Sequence, residues 1–117
     1  MSKIYIAGPM AGIKDFNFPA FDRAEIQLAL DGWTPINPAN IDRAHGFEGL
    51  GMSGNHAEME SGNEDWDNRE YGVVICRDIM AISECQAIYM LKGWETSKGA
   101  NIELGFANLI GIQVIHE

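Results

Sequence analysis

Basic residues are scarce in this chain of 117: 8 Lys and Arg stand against 17 Asp and Glu, a net charge of −9. Such a surface repels phosphate polymers, which excludes sequence-independent DNA or RNA binding. A single nucleotide is still admissible, because local dipoles can hold one phosphate. Cysteine is scarcer still. Cys76 and Cys85 form no CxxC motif, which excludes a disulfide scaffold and predicts buried thiols in a reducing, cytoplasmic setting. His45, His56 and His116 share no metal-ligand spacing with one another or with the cysteines, so neither a metal nor a cofactor is expected. Apolar runs such as Tyr71 to Cys76 fall far short of a membrane span, and no membrane partner is expected. Met1–Ser2–Lys3 leads straight into a strand pattern, which predicts no signal peptide. Neither GxGxxG nor a P-loop pattern is present, which argues against dinucleotide and triphosphate chemistry of those types.

What is present reads as one globular α/β domain over residues 1–117. Hydrophobic residues make up 46% and charged residues 21%, enough for a core and too apolar for wholesale disorder. Lys3 to Gly8 is a strand run stopped by Gly8-Pro9. Asn17 is placed to cap a helix with Pro19 in its first turn, and Phe21, Ala24 and Leu28 recur at helical spacing until Asp31-Gly32. Trp33 to Asn37 reads as a strand that Pro35 confines to a sheet edge. Pro38 to Asn63 lacks sustained periodicity and holds five glycines, predicting a loop or lid over about 40–64, with disorder as the plain alternative. From Asp65 a helix carries Tyr71, Ile75, Ile79 and Ile82. Ala87 to Leu91 is the unbroken apolar run of a strand covered on both faces. Ser97 can cap a last helix reaching about Ile110, and Ile112 to Ile115 is the final strand. Alternating strands and helices predict a Rossmann-like, flavodoxin-like three-layer fold with a mostly parallel sheet of about four to five strands. Its ligand crevice belongs at the carboxyl ends of the strands.

Glu103 carries the most information. It is the only charged residue between Gly99 and His116, set among Ile102, Leu104 and Phe106. Periodicity allows either a solvated helix face or a buried carboxylate that needs partners. Gly99, four residues earlier, leaves the space above it open, and helical side chains lean toward the N-terminus and hence the crevice. Ser97-Lys98-Gly99 offers a hydroxyl, a cation and free N–H groups to an anion, or simply an ordinary cap. Asp78 lies in an apolar stretch beside Arg77, where an exposed ion pair is the bland reading. Trp94, in a turn, suits stacking on a base or sugar.

Ile4-Tyr5-Ile6-Ala7-Gly8-Pro9 and Gly99-Ala100-Asn101-Ile102-Glu103-Leu104-Gly105-Phe106-Ala107 resemble the nucleoside 2-deoxyribosyltransferase-like superfamily. That group includes deoxyribosyltransferases and nucleoside 5′-monophosphate N-glycosidases. Asn17-Phe18-Pro19-Ala20-Phe21, Asn37-Pro38-Ala39, Arg77-Asp78-Ile79 and Gly93 to Ala100 are similar to a small phage and bacterial branch of it. Cys85-Gln86 and Lys92 depart from that branch, which usually has Cys-Asp and Pro there. The resemblance implies that Glu103 is the nucleophile, that Tyr5 positions its carboxylate, and that Asp78 assists the leaving base. It implies that Ser97 binds the substrate phosphate, a site to which the residues themselves add Lys98 and Gly99; the loop Gly8-Pro9-Met10, Phe16 and Trp94 are further candidate substrate contacts. The expected activity is cleavage of the N-glycosidic bond of a (2′-deoxy)nucleoside 5′-monophosphate through a glycosyl-glutamate. Deoxyribosyl transfer and non-catalytic nucleotide binding are the alternatives. Superfamily transferases typically complete the base pocket with a C-terminal extension, whereas this chain stops at His116-Glu117, so water is the expected acceptor. A homodimer or higher homo-oligomer is expected, with Tyr71 and Ile75 as candidate contacts.

Overall fold

A computed structural model describes residues 2–44 and 68–117, with side chains of the second stretch described from 72 onward. The chain runs β1 (Lys3–Ala7), α1 (Phe18–Leu30), β2 (Thr34–Ile36), α2 (Pro38–Ala44), α3 (Asn68–Ile82), β3 (Ala87–Met90), α4 (Lys98–Ile110) and β4 (Gln113–His116). Short 3-10 turns at Lys14–Asn17 and Trp94–Thr96 precede α1 and α4. The four strands pair in the order β2-β1-β3-β4, all parallel. This is the expected Rossmann-like three-layer arrangement, with β2 at an edge. Pro35 lies opposite Ile4 in that edge strand, where one missing N–H is tolerated.

The period of two along β1 divides the core. Ile4 and Ile6 join Phe16, Phe21 and Leu28 on the α1 face. Tyr5 and Ala7 turn to the other face, with Ile82 of α3 and Ala100 and Ala107 of α4. β3 divides likewise: Ala87 belongs to the α1 face, and Ile88 and Met90 to the α3–α4 face. Its unbroken apolar run follows from having both faces covered. The chain steps from β1 to β2 in one direction and then crosses back to β3, so strand order reverses at β1. Ligand crevices of open parallel sheets form at such a reversal, beyond the carboxyl ends of the strands.

Those carboxyl ends are drawn close together. A Cβ on Gly8 would lie 2.7 Å from Leu91 Cβ, so only glycine fits where the chain leaves β1. Asp15, Phe16 and Asn17 all have left-handed backbone, with φ of 58°, 51° and 60°. For residues with a Cβ this costs on the order of 1–2 kcal/mol each. Complete burial of the Phe16 ring in the α1-face core helps to offset that cost. Asn17 occupies the cap position of α1 but does not cap it, contrary to expectation. Its amide instead donates to the Pro9 carbonyl at 2.9 Å, pinning the loop after β1.

A second correction concerns Pro38 to Ala44, expected as loop and found as α2. Asn37 Oδ1 accepts from the Ala39 N–H at 2.9 Å, and Pro38 supplies a first-turn residue that needs no donor. From 45 onward the candidate lid lies outside the described residues, as does the helix start expected at Asp65. Cys85 is buried as expected, whereas Cys76 is exposed on the outer side of α3. Among the described residues no helix is long and apolar enough to cross a membrane.

Gly8→Ala is expected to destabilise the fold by about 1–3 kcal/mol through the clash with Leu91. A fall in denaturant midpoint at unchanged m-value would show it, and an unchanged midpoint would refute the close approach.

Candidate active site

α4 presents Ala100, Glu103 and Ala107 inward, three residues on one helical face. The alanines let the helix lie close to the sheet, and Glu103 between them is 6% exposed. The solvated-face alternative therefore falls. Tyr5, fully buried at the middle of β1, donates its hydroxyl to Glu103 Oε2 at 2.5 Å, across 98 residues of sequence. Asp78 comes from the inner face of α3, one turn before Ile82, and is 8% exposed. Among the described residues its Oδ1 has no hydrogen-bond partner although it is buried.

The expected exposed Arg77–Asp78 pair is not formed. Arg77 instead donates from Nη2 to Asp42 Oδ1 at 3.1 Å, joining α3 to α2. Asp42 is 6% exposed and went unnoticed in the sequence, because it stands in a stretch read as loop. The Asn37-Pro38 pair, a cap residue before a proline, was the available signal that a helix begins there.

Burial sets the electrostatics of this cluster. It pushes Glu103 well above the usual carboxylate range, the charges of Asp78 and Asp42 add to that, and the Tyr5 hydrogen bond opposes it. Asp78 is raised to about 7, by burial first and by the Asp42 charge second, with Arg77 opposing. Burial raises Asp42 to about 6 against the pull of Arg77 and Arg43. Tyr5 is pushed well above the phenol range by burial and by Glu103, so its hydroxyl keeps the proton that it donates. Carboxyl groups so close cannot all ionise near neutrality, and they share protons as a set. Chemically, such a set supplies a carboxyl group oriented by Tyr5 and a second carboxyl group that can exchange a proton with it.

The other predicted site residues fall into two groups. Gly8 and Pro9 are buried at the carboxyl end of β1, and Gly93, after β3, adjoins Pro9. Trp94 is half-buried in the turn beyond, its ring 5.8 Å from that of His116 and inclined at 40°. Ser97 caps α4 by accepting from the Ala100 N–H at 3.1 Å, with Lys98 exposed and Gly99 in the first turn. Asn101 ties this corner together, donating to the carbonyls of Trp94, Glu95 and Ser97. On the opposite sheet face lie half-buried Met10, packed on the α1-side core, and Phe16, wholly inside it. The Phe16 ring thus fills the core rather than the cluster around Glu103. Among the described residues no three His, Cys, Asp or Glu side chains are arranged to hold a metal ion.

Residues 2–116 match DUF4406, a family described as a domain of unknown function. The chain belongs to this family. Comparison with curated proteins and with solved structures returned no match. The DUF4406 match runs from β1 to β4, so Tyr5, Asp42, Asp78 and Glu103 all lie within the family domain.

The raised carboxyl groups make stability depend on pH. A folded-state pKa above the unfolded value of about 4 contributes stability that is complete below about 4 and is lost as pH rises through the folded pKa. For Asp42 and Asp78 that loss runs through about 6 and about 7. The thermal midpoint is therefore expected to fall between about pH 4 and about pH 7, and Asp78→Asn to flatten the fall. A midpoint that rises over this range, or an unchanged slope in the variant, would contradict the assignment.

Proposed function

We propose that this protein cleaves the N-glycosidic bond of (2′-deoxy)nucleoside 5′-monophosphates through a covalent glycosyl intermediate on Glu103. The observation that carries the reading is a buried carboxylate oriented by a tyrosine hydroxyl, with a second, proton-holding carboxyl group in the same cluster. The resemblance of the Tyr5, Asp78 and Glu103 segments to the nucleoside 2-deoxyribosyltransferase-like superfamily supports it independently.

Each step assigns a role to one of these groups. Glu103 passes the proton that burial keeps on it to Asp78; the Tyr5 hydrogen bond occupies Oε2 and leaves Oε1 to attack the anomeric carbon. As the C1′–N bond breaks, its electron pair goes to the base nitrogen, which takes the proton held by Asp78. Positive charge developing on the sugar is stabilised by the Glu103 carboxylate until the C1′–O bond forms. Water then attacks C1′, its proton passing to Asp78, and sugar phosphate leaves with Glu103 regenerated. The Ser97 hydroxyl oxygen already accepts the capping bond, so its proton is available to a phosphate at the N-terminus of α4, beside Lys98.

Incubation with nucleoside 5′-monophosphates, followed by chromatography, is expected to release free base. Glu103→Ala should lower the rate by a factor on the order of 10³ or more. Ser97→Ala should weaken monophosphates more than nucleosides by roughly 1.5–3 kcal/mol. With excess of a second base, free sugar phosphate is expected to outpace mixed nucleotide. The reverse would make the enzyme a transferase, and tight binding of uncleaved nucleotide would make it a binding module.

Self-association belongs to the same reading. Val73, Cys76 and Met80 form an exposed stripe along α3, and Ile75, the expected contact, is half-buried there. The Tyr71 side chain lies outside the described residues. Light scattering at micromolar concentration is expected to give a dimer or larger species, and a monomeric mass with full activity would refute it.

A further inference from the structure

α2 is held between two neighbours. On one side, Arg43 grips Asp22 of α1 through both guanidinium nitrogens at 3.0 and 2.7 Å, with its guanidinium 5.0 Å from the centre of the Phe18 ring. Glu25 of α1 accepts from Asn40, and also from Asn37 just ahead of α2. On the other side, Asp42 turns inward and takes the guanidinium of Arg77. This clamp decides where a cation goes. Arg77 is the sequence neighbour of Asp78, yet its charge is drawn to a residue 35 positions away. Two buried atoms are left without partners among the described residues, Oδ1 of Asp78 and Nε of Arg77. A buried acceptor without a partner, such as Asp78 Oδ1, is open to a donor from a bound ligand.

We infer that Asp42 is a positioning residue for Asp78: by holding the Arg77 guanidinium against α2 it keeps Asp78 Oδ1 unpaired in the site, available to the base of a bound nucleotide. The inference rests on the glycosidase reading and adds a residue to it. Asp42 acts in two ways of the same sign. Its own negative charge disfavours ionisation of Asp78, and its hold on Arg77 keeps a neutralising cation at a distance. Besides Asp42 from α2, the groups facing Asp78 among the described residues are Glu103 from α4, Tyr5 from β1 and Arg77 on α3 itself. Glu103 and Tyr5 are tied to each other, so Arg77 is the only cation in this set.

The test combines a titration with a leaving-group comparison, using the full chain. The Asp78 carboxyl carbon is followed by NMR against pH in wild type, Asp42→Asn and Arg77→Gln, with Asp78→Asn for assignment. Asp42→Asn is expected to lower the Asp78 midpoint by about one pH unit or more, and Arg77→Gln to raise it. Asp42→Glu should restore most of the wild-type value. In the assay, Asp42→Asn is expected to lose a factor on the order of 10² on natural nucleobases, whose departure needs a proton. It should lose less than about fivefold on a 4-nitrophenyl deoxyriboside 5-phosphate, whose leaving group does not. An unchanged midpoint in both variants, or equal losses for both leaving groups, overturns the inference. Should Asp42→Asn fail to fold, Asp42→Ser takes its place, and an Asp78 midpoint that does not fall in that variant overturns the inference. If wild type cleaves no nucleotide, the glycosidase reading fails, while the titrations still decide whether Asp42 governs Asp78.

Discussion

A carboxylate inside a small protein sets the terms for what surrounds it. Glu103 is buried against the sheet and hydrogen-bonded by Tyr5, so β1 and α4 meet through a polar contact in an otherwise apolar layer. Left unpaired, a buried carboxylate costs several kcal/mol or takes up a proton. The surrounding layer meets this constraint in three ways. Tyr5 supplies a donor whose own ionisation is suppressed, the alanines at 100 and 107 let α4 approach, and proton sharing with Asp78 and Asp42 limits the accumulated charge.

The buried polar and charged side chains among the described residues are Asn37, Asp42, Asp78 and Glu103. Three are the carboxylates of the cluster, and the fourth anchors the helix that carries Asp42. Asn37 spends its amide on Asp22 and Glu25 of α1 and its oxygen on the Ala39 N–H. Among the described residues, polar burial is therefore concentrated at this cluster and the helix that supports it. Half-exposed pairs such as Arg43–Asp22 contribute little singly, but as a network they fix the orientation of α2. A network of that kind suits a site whose charges have to stay where they are placed.

Topology explains why the cluster lies where it does. Reversal of strand order at β1 makes that strand central, flanked by β2 and β3, and turns Tyr5 toward the layer holding α3 and α4. The turns after β1 and β3 are forced together by the absence of a side chain at Gly8 and by the contact of Gly93 with Pro9. Ser97 and the amino end of α4 follow directly from the second of these turns. One end of the sheet thus carries the capped helix start and, one turn further along α4, the buried glutamate.

Local chemistry was enough to write down most of the elements. Alternation in Lys3–Ala7, the apolar run Ala87–Met90, the Ser97 cap and the Gly111 stop each act within a few residues, so one stretch of chain determines them. Glu103 was conspicuous for the same reason, as a lone charge in an apolar helix. Which way it faced was not local: only the packing of α4 on β1 decides between water and Tyr5. The partner of Arg77 was likewise beyond reach, because the adjacent Asp78 and the distant Asp42 are equivalent carboxylates until α2 is docked on α1. Phe16, beside the crevice in sequence, is carried into the opposite core layer by three left-handed residues whose strain the burial of that ring helps to offset. Sequence alone thus determined which residues could do chemistry, since residue type and local spacing need no partner. Tertiary structure decided which of them meet, because burial and pairing are properties of segments far apart in the chain.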